Sequence, residues 1–326
     1  MSYTINSTQQ QDKVAIILWL YHIDLWPEFY GLLKPLADNI VLYLGLCDSS
    51  LSDYPDIKRD IDLFDYRIYY QNNYGCDVAP FLNQIQMVSE PVFIKIHSKK
   101  SLWGVKNIIQ WRSVLLNGLI GSKKIFDNNI IRLSDPNVGM ICNENLLLKE
   151  REGKNTEIIQ KISNMINMNY DHVANSSFPA GNMFCSKTSI YHKYFTPEVC
   201  DQLNFYLKKE QGKVDDKSNG TYSHSLERIF GYIIKQDNKI FNFPEYDIIK
   251  ILNDQAPNGK YFSLIKTYNN HCYLEEDLNA YGNIVDQRHN DMTIEWFHMP
   301  TKIYQKYNII DKNTIIRERN AKNSIS

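Results

Sequence analysis

The stretch PVFIKIHSKKS, Pro91–Ser101, changes character half-way along its length. Its first half is apolar, as in a strand buried by its neighbours, and its second half is cationic. Period-two alternation places Lys95, His97 and Lys99 on one face for as long as the strand persists. A strand that ends in such a one-sided cluster predicts an anionic ligand, and a phosphate or diphosphate group suits it.

Three further apolar runs precede this strand, at Val14–Tyr21, Ile40–Leu46 and Tyr66–Gln71. Helical or loop segments separate them, and this order predicts an α/β fold with a mostly parallel central sheet flanked by helices. Ligands bind at the carboxyl ends of the strands in such sheets. The segments that follow these strands and His97 are therefore expected to form a single functional edge.

The apolar pattern in residues 107–236 predicts further helices and strands. A long helical stretch covers residues 107–127, a strand lies within 137–143, and residues 176–192 have strand and turn character. The apolar spacing in residues 154–169 and in Ser223–Gln236 predicts two amphipathic helices.

Composition limits the classes of function. The chain has 326 residues and a net charge of −1, which argues against a general nucleic-acid binder. Its six cysteines form no CxxC pair, so reduced thiols and a cytoplasmic protein are expected. No signal-peptide pattern and no apolar run of about 20 residues is visible, which predicts a soluble or peripheral protein.

Two loop-like stretches carry residues suited to chemistry. NNYGCDVAPFL, Asn72–Leu82, offers Asp77 either as a helix N-cap or as a ligand contact, with Pro80 at the first helical position. FPAGNMF, Phe178–Phe184, either brings its backbone close to a ligand at Gly181 or makes a tight turn under a core strand.

The stretch HSLERIFG lies on the second amphipathic helix. It places four residues on the stripe opposite the apolar face: His224, Glu227, Arg228 and Gly231. Such a stripe either supplies a general base or forms an ordinary exposed helix face.

Together these stretches resemble the rhamnan synthesis protein F family of bacterial glycosyltransferases. The resemblance covers about residues 14–236 and implies a GT-A-like, single Rossmann-type domain. It also implies transfer of rhamnose, or of another deoxy or hexose sugar, from a nucleotide-sugar donor to a growing O-antigen, capsule or rhamnan. The shared patterns are NxGxDxxPFL from Asn73, KxH[ST]K from Lys95, AGxMF from Ala180 and H[AS]LERxFG from His224.

This resemblance implies a donor site without a metal. GT-A enzymes usually end the central strand in a DxD motif that holds a divalent cation against the diphosphate. The corresponding strand here ends in IKIHSKK, so metal-independent stabilisation of the diphosphate is expected. One literal DxD string, Asp60–Asp62, falls in an expected charged connecting loop. The expected diphosphate contacts are Lys95, His97, Ser98 and Lys99.

The GT-A pattern also implies catalytic roles. Glu227 is expected to deprotonate the acceptor hydroxyl in an inverting displacement, with His224 as the alternative base. Asp77 is expected to be a third catalytic residue, which binds the nucleotide or the sugar of the donor. The other expected contacts are Tyr21, His22, Asn73 and Gly75 for the donor nucleotide or sugar, and Ala180, Gly181, Asn182 and Arg228 for the sugar or acceptor.

The expected organisation is a GT-A-like domain over residues 1–240 and an extension over residues 241–326 packed on the same domain, at the acceptor side or an oligomer contact. Expected partners are the nucleotide sugar and an oligosaccharide or lipid-linked acceptor, with no nucleic acid and no metal cofactor. The protein is expected in the cytoplasm or at the cytoplasmic face of the inner membrane, alone or within a larger polymerase. The alternatives are an inactive nucleotide-sugar or glycan-binding module and a sugar- or polyol-phosphate transferase.

Overall fold

The computed structural model describes residues 13–47, 50–100, 102–103, 109–150, 153–211, 220–244, 265–268 and 271–274. The strands in these ranges are β1 (Val14–Leu20), β2 (Ile40–Leu46), β3 (Asp65–Tyr70), β4 (Val92–His97), β5 (Leu102–Trp103), β6 (Ile109–Gln110), β7 (Val138–Ile141), β8 (Leu147–Lys149), β9 (Ser177–Pro179), β10 (Phe184–Lys187), β11 (Ile240–Asn242), β12 (Ile265–Tyr268) and β13 (His271–Leu274). The helices are α1 (Trp26–Leu33), α2 (Pro55–Asp60), α3 (Val78–Ile85), α4 (Trp111–Ile120), α5 (Lys123–Leu133), α6 (Thr156–Met165), α7 (Tyr170–Val173), α8 (Thr188–Tyr194), α9 (Pro197–Leu207) and α10 (Tyr222–Gln236).

Seven of the strands form one sheet in the order β11-β7-β10-β4-β1-β2-β3. β1 pairs in parallel with both β2 and β4, and β2 pairs in parallel with β3. β10 runs antiparallel to β4 and β7, whereas β11 is parallel to β7. All strands of this sheet except β10 therefore point the same way, and the predicted α/β fold with a mostly parallel sheet is confirmed.

Sequence and position agree along the central strands. β1 (VAIILWL) and β2 (IVLYLGL) are buried at every residue, as continuous apolar strands covered on both faces should be. β3 (DYRIYY) lies at the edge of the sheet, and its residues are partly buried or exposed. The polar residues of β3 fit an edge strand, which has one neighbour instead of two.

An aromatic cluster forms the core on one face of the sheet, where α3, α8 and α10 pack. The Phe93 ring of β4 lies 4.9 Å from the Tyr191 ring of α8, and the Phe81 ring lies 5.0 Å from the Phe230 ring. These edge-to-face contacts are favourable for aromatic rings and bury large apolar areas. The aromatic cluster comprises Phe81, Phe93, Phe184, Tyr191 and Phe230, all buried.

The prediction of one continuous helix over residues 107–127 is wrong. α4 ends at Ile120 and α5 begins at Lys123. The Ser122 hydroxyl caps α5 by accepting a hydrogen bond from the Ile125 N–H at 3.2 Å. A Gly followed by a capping Ser marks the end of one helix and the start of the next. The apolar spacing continues across these two residues, and for this reason it predicted a single helix.

Two helices add to the predicted elements. α8 occupies the end of the segment 176–192, which predicted strands and turns. α9 has no predicted counterpart, although Pro197 at its first position and Thr196 as its N-cap are ordinary helix-start signals. The Thr196 hydroxyl accepts a hydrogen bond from the Val199 N–H at 3.4 Å.

The literal DxD string lies in helical structure and not in a loop. Asp60 ends α2, and a 3₁₀ turn follows at Ile61–Leu63. Asp60 accepts a hydrogen bond from Trp26 Nε1 at 3.1 Å and pairs with Arg59 at 2.8 Å. Because β3 begins only after this turn, the string lies at the amino end of β3, away from the carboxyl edge of the sheet.

The chain divides into two compact units. The first comprises residues 1–99 and 115–245 and holds the seven-stranded sheet. The second comprises residues 100–114 and 246–326, and its described strands form the antiparallel pairs β5–β6 and β12–β13. Most of the predicted extension lies outside the described residues, so the packing of that extension stays a prediction.

Five cysteines whose side chains are described are free thiols: Cys47, Cys76, Cys142, Cys185 and Cys200. In the described ranges, no helix combines the length and the apolar character needed to cross a membrane.

Candidate active site at the carboxyl edge of the sheet

The carboxyl ends of the parallel strands bring distant segments together. Beyond the last residue of β4, the Ser98 N–H still donates to the Trp19 carbonyl of β1 at 3.0 Å. Phe184, the first residue of the antiparallel β10, lies opposite Lys95. The loop before β10, which contains Ala180–Met183, therefore reaches the same edge as the end of β4.

Asp77 occupies the N-cap position of α3 but makes no capping hydrogen bond with its side chain. Its carboxylate instead forms an ion pair with Lys95 and accepts a hydrogen bond from Asn182 Nδ2 at 2.6 Å. The alternative of a side-chain cap is thus wrong. Pro80 is the third residue of α3 and not the first, because α3 begins at Val78.

Lys95 points into the protein. The residue is 1% exposed, and its ammonium donates to the Asp77 carboxylate and, at 2.9 Å, to the Asn182 carbonyl. Burial lowers the pKa of Lys95, and the attraction of Asp77 opposes that shift. Burial would raise the pKa of Asp77, but the charge of His97, once its ring is protonated at low pH, and the charge of Lys95 outweigh burial and hold this pKa well below its usual value.

His97 lies on the same face of β4, as the period-two alternation predicts. Its Nε2 is 3.0 Å from the Gly181 carbonyl oxygen, and its Nδ1 is 3.6 Å from Asp77 Oδ1. Burial lowers the pKa of His97 to about 4, although the attraction of Asp77 opposes this shift. A neutral imidazole at pH 7 therefore donates its Nε2–H to Gly181, whereas the sequence suggested a cationic cluster.

The Gly181–Asn182 turn connects these groups. Gly181 has φ +86° and Asn182 has φ +56°, both in the left-handed region that glycine and asparagine tolerate best. The Gly181 N–H donates to Glu227 Oε1 at 2.9 Å. Gly181 therefore lies between His97, which binds its carbonyl, and Glu227, which binds its N–H.

The first turns of α10 supply the acidic and basic groups. Thr221 caps this helix, and its hydroxyl lies 2.8 Å from His224 Nδ1. Glu227 Oε2 accepts a hydrogen bond from Arg228 Nη1 at 3.0 Å. Arg228 Nε donates to Glu150 at 2.7 Å, so one guanidinium is shared by two carboxylates.

The stripe that holds Glu227 is not an ordinary exposed helix face. The Glu227 side chain is only 16% exposed. A Cβ added to Gly231 would lie 2.5 Å from the Ser177 carbonyl oxygen, so glycine allows α10 to approach β9 closely. The Arg228 guanidinium carbon lies 4.5 Å from the centroid of the Phe178 ring, which supports its position by a cation–π contact.

All four stretches lie within the part of the chain that matches one protein-family model. The sequence model described as rhamnan synthesis protein F matches residues 2–239, well over half of the chain. The chain belongs to the rhamnan synthesis protein F family. The predicted resemblance is thereby confirmed, and membership associates the chain with polysaccharide synthesis. A comparison with curated proteins finds no match.

Four other residues expected to contact the donor in this rhamnan synthesis protein F chain directly follow the ends of β1 and β4. Tyr21 is 43% exposed, with its ring 4.9 Å from that of His22. The His22 N–H donates to Ser98 Oγ at 2.8 Å. β4 ends at His97, and the Lys99 N–H turns back to the His97 carbonyl at 2.9 Å, which releases Lys99 from the strand alternation.

Of the three remaining predicted residues of these family motifs, two form backbone hydrogen bonds with other segments of the chain. The Gly75 N–H donates to the Glu210 carbonyl at 2.8 Å, and the Ala180 N–H donates to the Leu146 carbonyl at 2.8 Å. Asn73 is half-buried. Gly75 has φ +61°, and this explains why the motif places a glycine there.

Two carboxylates that sequence reasoning missed support α10 in this rhamnan synthesis protein F chain. Glu150 pairs with Arg228, as described above. Glu210 accepts hydrogen bonds from the Tyr222 N–H at 2.6 Å and the Ser223 N–H at 3.0 Å, so it satisfies the first turn of the helix. Glu210 lies 12 residues before Tyr222, well outside the spacing of a capping box, and no local signal reveals it.

Among the described residues, no three or more His, Cys, Asp or Glu side chains form a group that could hold a metal ion. Metal independence stays a prediction.

Proposed function

We propose that this protein is a glycosyltransferase that moves a sugar from a nucleotide-sugar donor to a growing bacterial polysaccharide, with rhamnose as the first candidate sugar. Membership of a rhamnan synthesis family supports sugar transfer in general. The single observation that carries the proposal is the chain of contacts from Glu227 through Gly181 to His97 at the carboxyl edge of the sheet. That edge is where α/β sheets of this kind bind their ligands.

Glu227 acts as the general base in this proposal. The acceptor hydroxyl loses its proton to Glu227 while its oxygen forms a bond to the anomeric carbon. The bond between that carbon and the diphosphate oxygen breaks, and the nucleoside diphosphate leaves with the bonding pair. Each Glu227 oxygen accepts one hydrogen bond, Oε1 from the Gly181 N–H and Oε2 from Arg228 Nη1, and retains a lone pair for the proton. His224 is the alternative base.

The donor diphosphate lies near the end of β4 in this proposal. Lys99, which is half-buried, supplies positive charge, and Ser98 and His97 complete the polar end of the strand, without a metal ion. Lys95 is buried and acts on this site through its internal contacts. Tyr21, His22, Asn73 and Gly75 border the donor nucleotide and sugar, whereas Asp77 acts through its contacts with Lys95 and Asn182. Ala180, Gly181, Asn182 and Arg228 border the sugar and the acceptor.

The test is transfer by purified protein. The protein is incubated with a panel of nucleotide sugars and an oligosaccharide or lipid-linked acceptor, with and without EDTA, and nucleotide release and glycan products are measured. Glu227→Gln should abolish transfer and leave donor binding intact, because the amide keeps the shape but accepts no proton. Glu157→Gln, at an exposed position of α6, is the matched control and should retain transfer.

Each contrary outcome identifies a rival. Donor binding without any nucleotide release or product would indicate a binding module. Release of a nucleoside monophosphate, with the sugar phosphate transferred, would indicate a phosphate transferase. Loss of transfer in EDTA, restored by a divalent cation, would overturn metal independence. An active Glu227→Gln protein would move the base to His224.

A further inference from the structure

We propose that Asp77 and Lys95 are positioning residues, whose buried ion pair holds the Gly181–Asn182 turn and thereby fixes Glu227 relative to His97. The inference rests on the proposed sugar transfer. It assigns these two residues to the alignment of the base and not to direct contact with the donor.

The first step is the burial of Lys95. Its ammonium donates to Asp77 and to the Asn182 carbonyl, and it lies 5.4 Å from the centroid of the Phe81 ring in the core. A residue that is 1% exposed cannot reach a diphosphate at the rim while these contacts persist. Its charge acts on internal groups.

The second step is the hold on Asn182. Lys95 binds the backbone carbonyl of Asn182 at 2.9 Å, and Asp77 binds its side-chain amide at 2.6 Å. Asn182 is 3% exposed and has φ +56°. A left-handed residue other than glycine persists where its surroundings fix it, and here the ion pair fixes it from two directions.

The position of Asn182 in turn determines the contacts of Glu227, the proposed base. Gly181 precedes Asn182 directly, so the orientation of its peptide groups follows from the turn. The N–H of Gly181 binds Glu227 Oε1 at 2.9 Å, and its carbonyl binds His97 Nε2 at 3.0 Å. If the turn relaxes, both contacts change together, and the Glu227 carboxylate loses its alignment with the acceptor hydroxyl.

Stability and alignment can be separated by experiment. Removal of one partner from a buried ion pair leaves an uncompensated charge and destabilises the fold, whereas neutral replacement of both partners is often tolerated. The double variant Asp77→Asn, Lys95→Met should therefore recover most of the thermal stability that Lys95→Met loses. Its kcat should stay low because the turn has lost its ionic hold.

The principal test is Asn182→Gly, which keeps the left-handed backbone accessible but removes the amide that Asp77 binds. A misplacement of about 1 Å lowers a rate on the order of 100-fold, so kcat should fall by about that factor. The donor KM should stay within about twofold, since the side chain that is removed is buried and binds Asp77, while the backbone of this residue stays in place. Asn238→Gly is the matched control, because Asn238 has φ +54° outside the site, and it should retain kcat.

Two kinetic outcomes would overturn the inference. A raised donor KM with unchanged kcat in Asn182→Gly or in the double variant would indicate a lost donor contact. A double variant with wild-type kcat would show that the turn needs no ionic hold. The control for the double variant is Asp127→Asn, Lys123→Met, which neutralises an exposed i,i+4 pair on α5 and should leave kcat unchanged.

A readout without substrate separates this inference from the proposed function. The ¹⁵N NMR signal of His97 Nε2 reports its hydrogen bond to Gly181 and should shift in Asn182→Gly but not in Asn238→Gly. If the wild-type protein transfers no sugar while this shift appears, the proposed function fails and the hold on the turn stands. If transfer occurs and Asn182→Gly changes neither kcat nor the His97 signal, the hold is overturned and the function stands.

Discussion

One face of β4 is apolar near its amino end and polar from Lys95 to its carboxyl end. Phe93 lies in the aromatic cluster, whereas Lys95, the next residue on that face, lies against Asp77. The polar network is defined as Asp77, Lys95, His97, Asn182 and Glu227. The cluster gains stability from buried apolar area, at roughly 25 cal/mol per Å². The network loses hydration on burial and gains little net stability, but its hydrogen bonds have fixed directions.

The two regions meet at Phe81. Its ring lies 5.0 Å from the Phe230 ring and 5.4 Å from Lys95 Nζ. A close-packed ring beneath the ammonium limits how far Lys95 can move. The apolar half of this face therefore supplies the stability, and the polar half depends on that stability to hold its groups in one geometry.

The largest expected effect tests the apolar half. Phe230→Ala should lower the free energy of unfolding by about 3–5 kcal/mol, because it removes a fully buried ring and leaves a cavity. Urea unfolding measures this change. Phe205→Ala, at a position that is 62% exposed, is the control and should change the stability by about 0.5 kcal/mol or less. Equal losses of unfolding free energy in the two variants would contradict the view that the aromatic cluster is the main source of stability.

The next effect tests the polar half through pH. The pKa of His97 is about 4 in the folded protein and about 6.5 when unfolded, so the unfolded chain binds more protons between these values. Stability should therefore fall as the pH is lowered from about 6.5 towards 4. Protonation of the unfolded chain at this residue contributes up to about 3 kcal/mol to that loss.

His97→Gln should remove this contribution and flatten the pH dependence of the unfolding free energy. The charged groups that act on His97 are Asp77, Lys95 and Lys99, and all three remain in the variant. Chemical denaturation at a series of pH values measures the slope. His192→Gln is the control, since it removes another histidine bonded to a carbonyl, that of Ile85 at 2.8 Å, and keeps His97. A slope that persists in His97→Gln would contradict a buried neutral imidazole.

The smallest effect concerns backbone conformation. Gly181→Ala should lower the free energy of unfolding by about 1–2 kcal/mol, because φ +86° is unfavourable for a residue with a Cβ. Gly31→Ala is the opposite case: Gly31 lies within α1, and a Cβ there would meet nothing within 4 Å. It should raise the free energy of unfolding by about 0.5–1 kcal/mol. A Gly181→Ala protein as stable as wild type would show that the turn is not constrained.

The sequence by itself determined the central strands and the segments that carry the site. Val14–Leu20, Ile40–Leu46 and the first half of Val92–His97 have apolar runs that are typical of strands covered on both faces, and their ends mark the edge where ligands are expected to bind. The shared motifs around Asp77 and Glu227 indicated the family. Local signals also failed where two of them competed, as at Ser122, where a cap divides one long apolar pattern into two helices.

Only the tertiary structure decided what each site residue contacts. Asp77 binds Asn182 across 105 residues, Glu227 binds Gly181 across 46, and Arg228 binds Glu150 across 78. Spacing along a helix or strand determines which side chains share a face, but not which distant segment packs against that face. The burial that makes Lys95 an internal partner and His97 a neutral imidazole arises from that packing, because desolvation depends on surrounding atoms and not on neighbours in sequence.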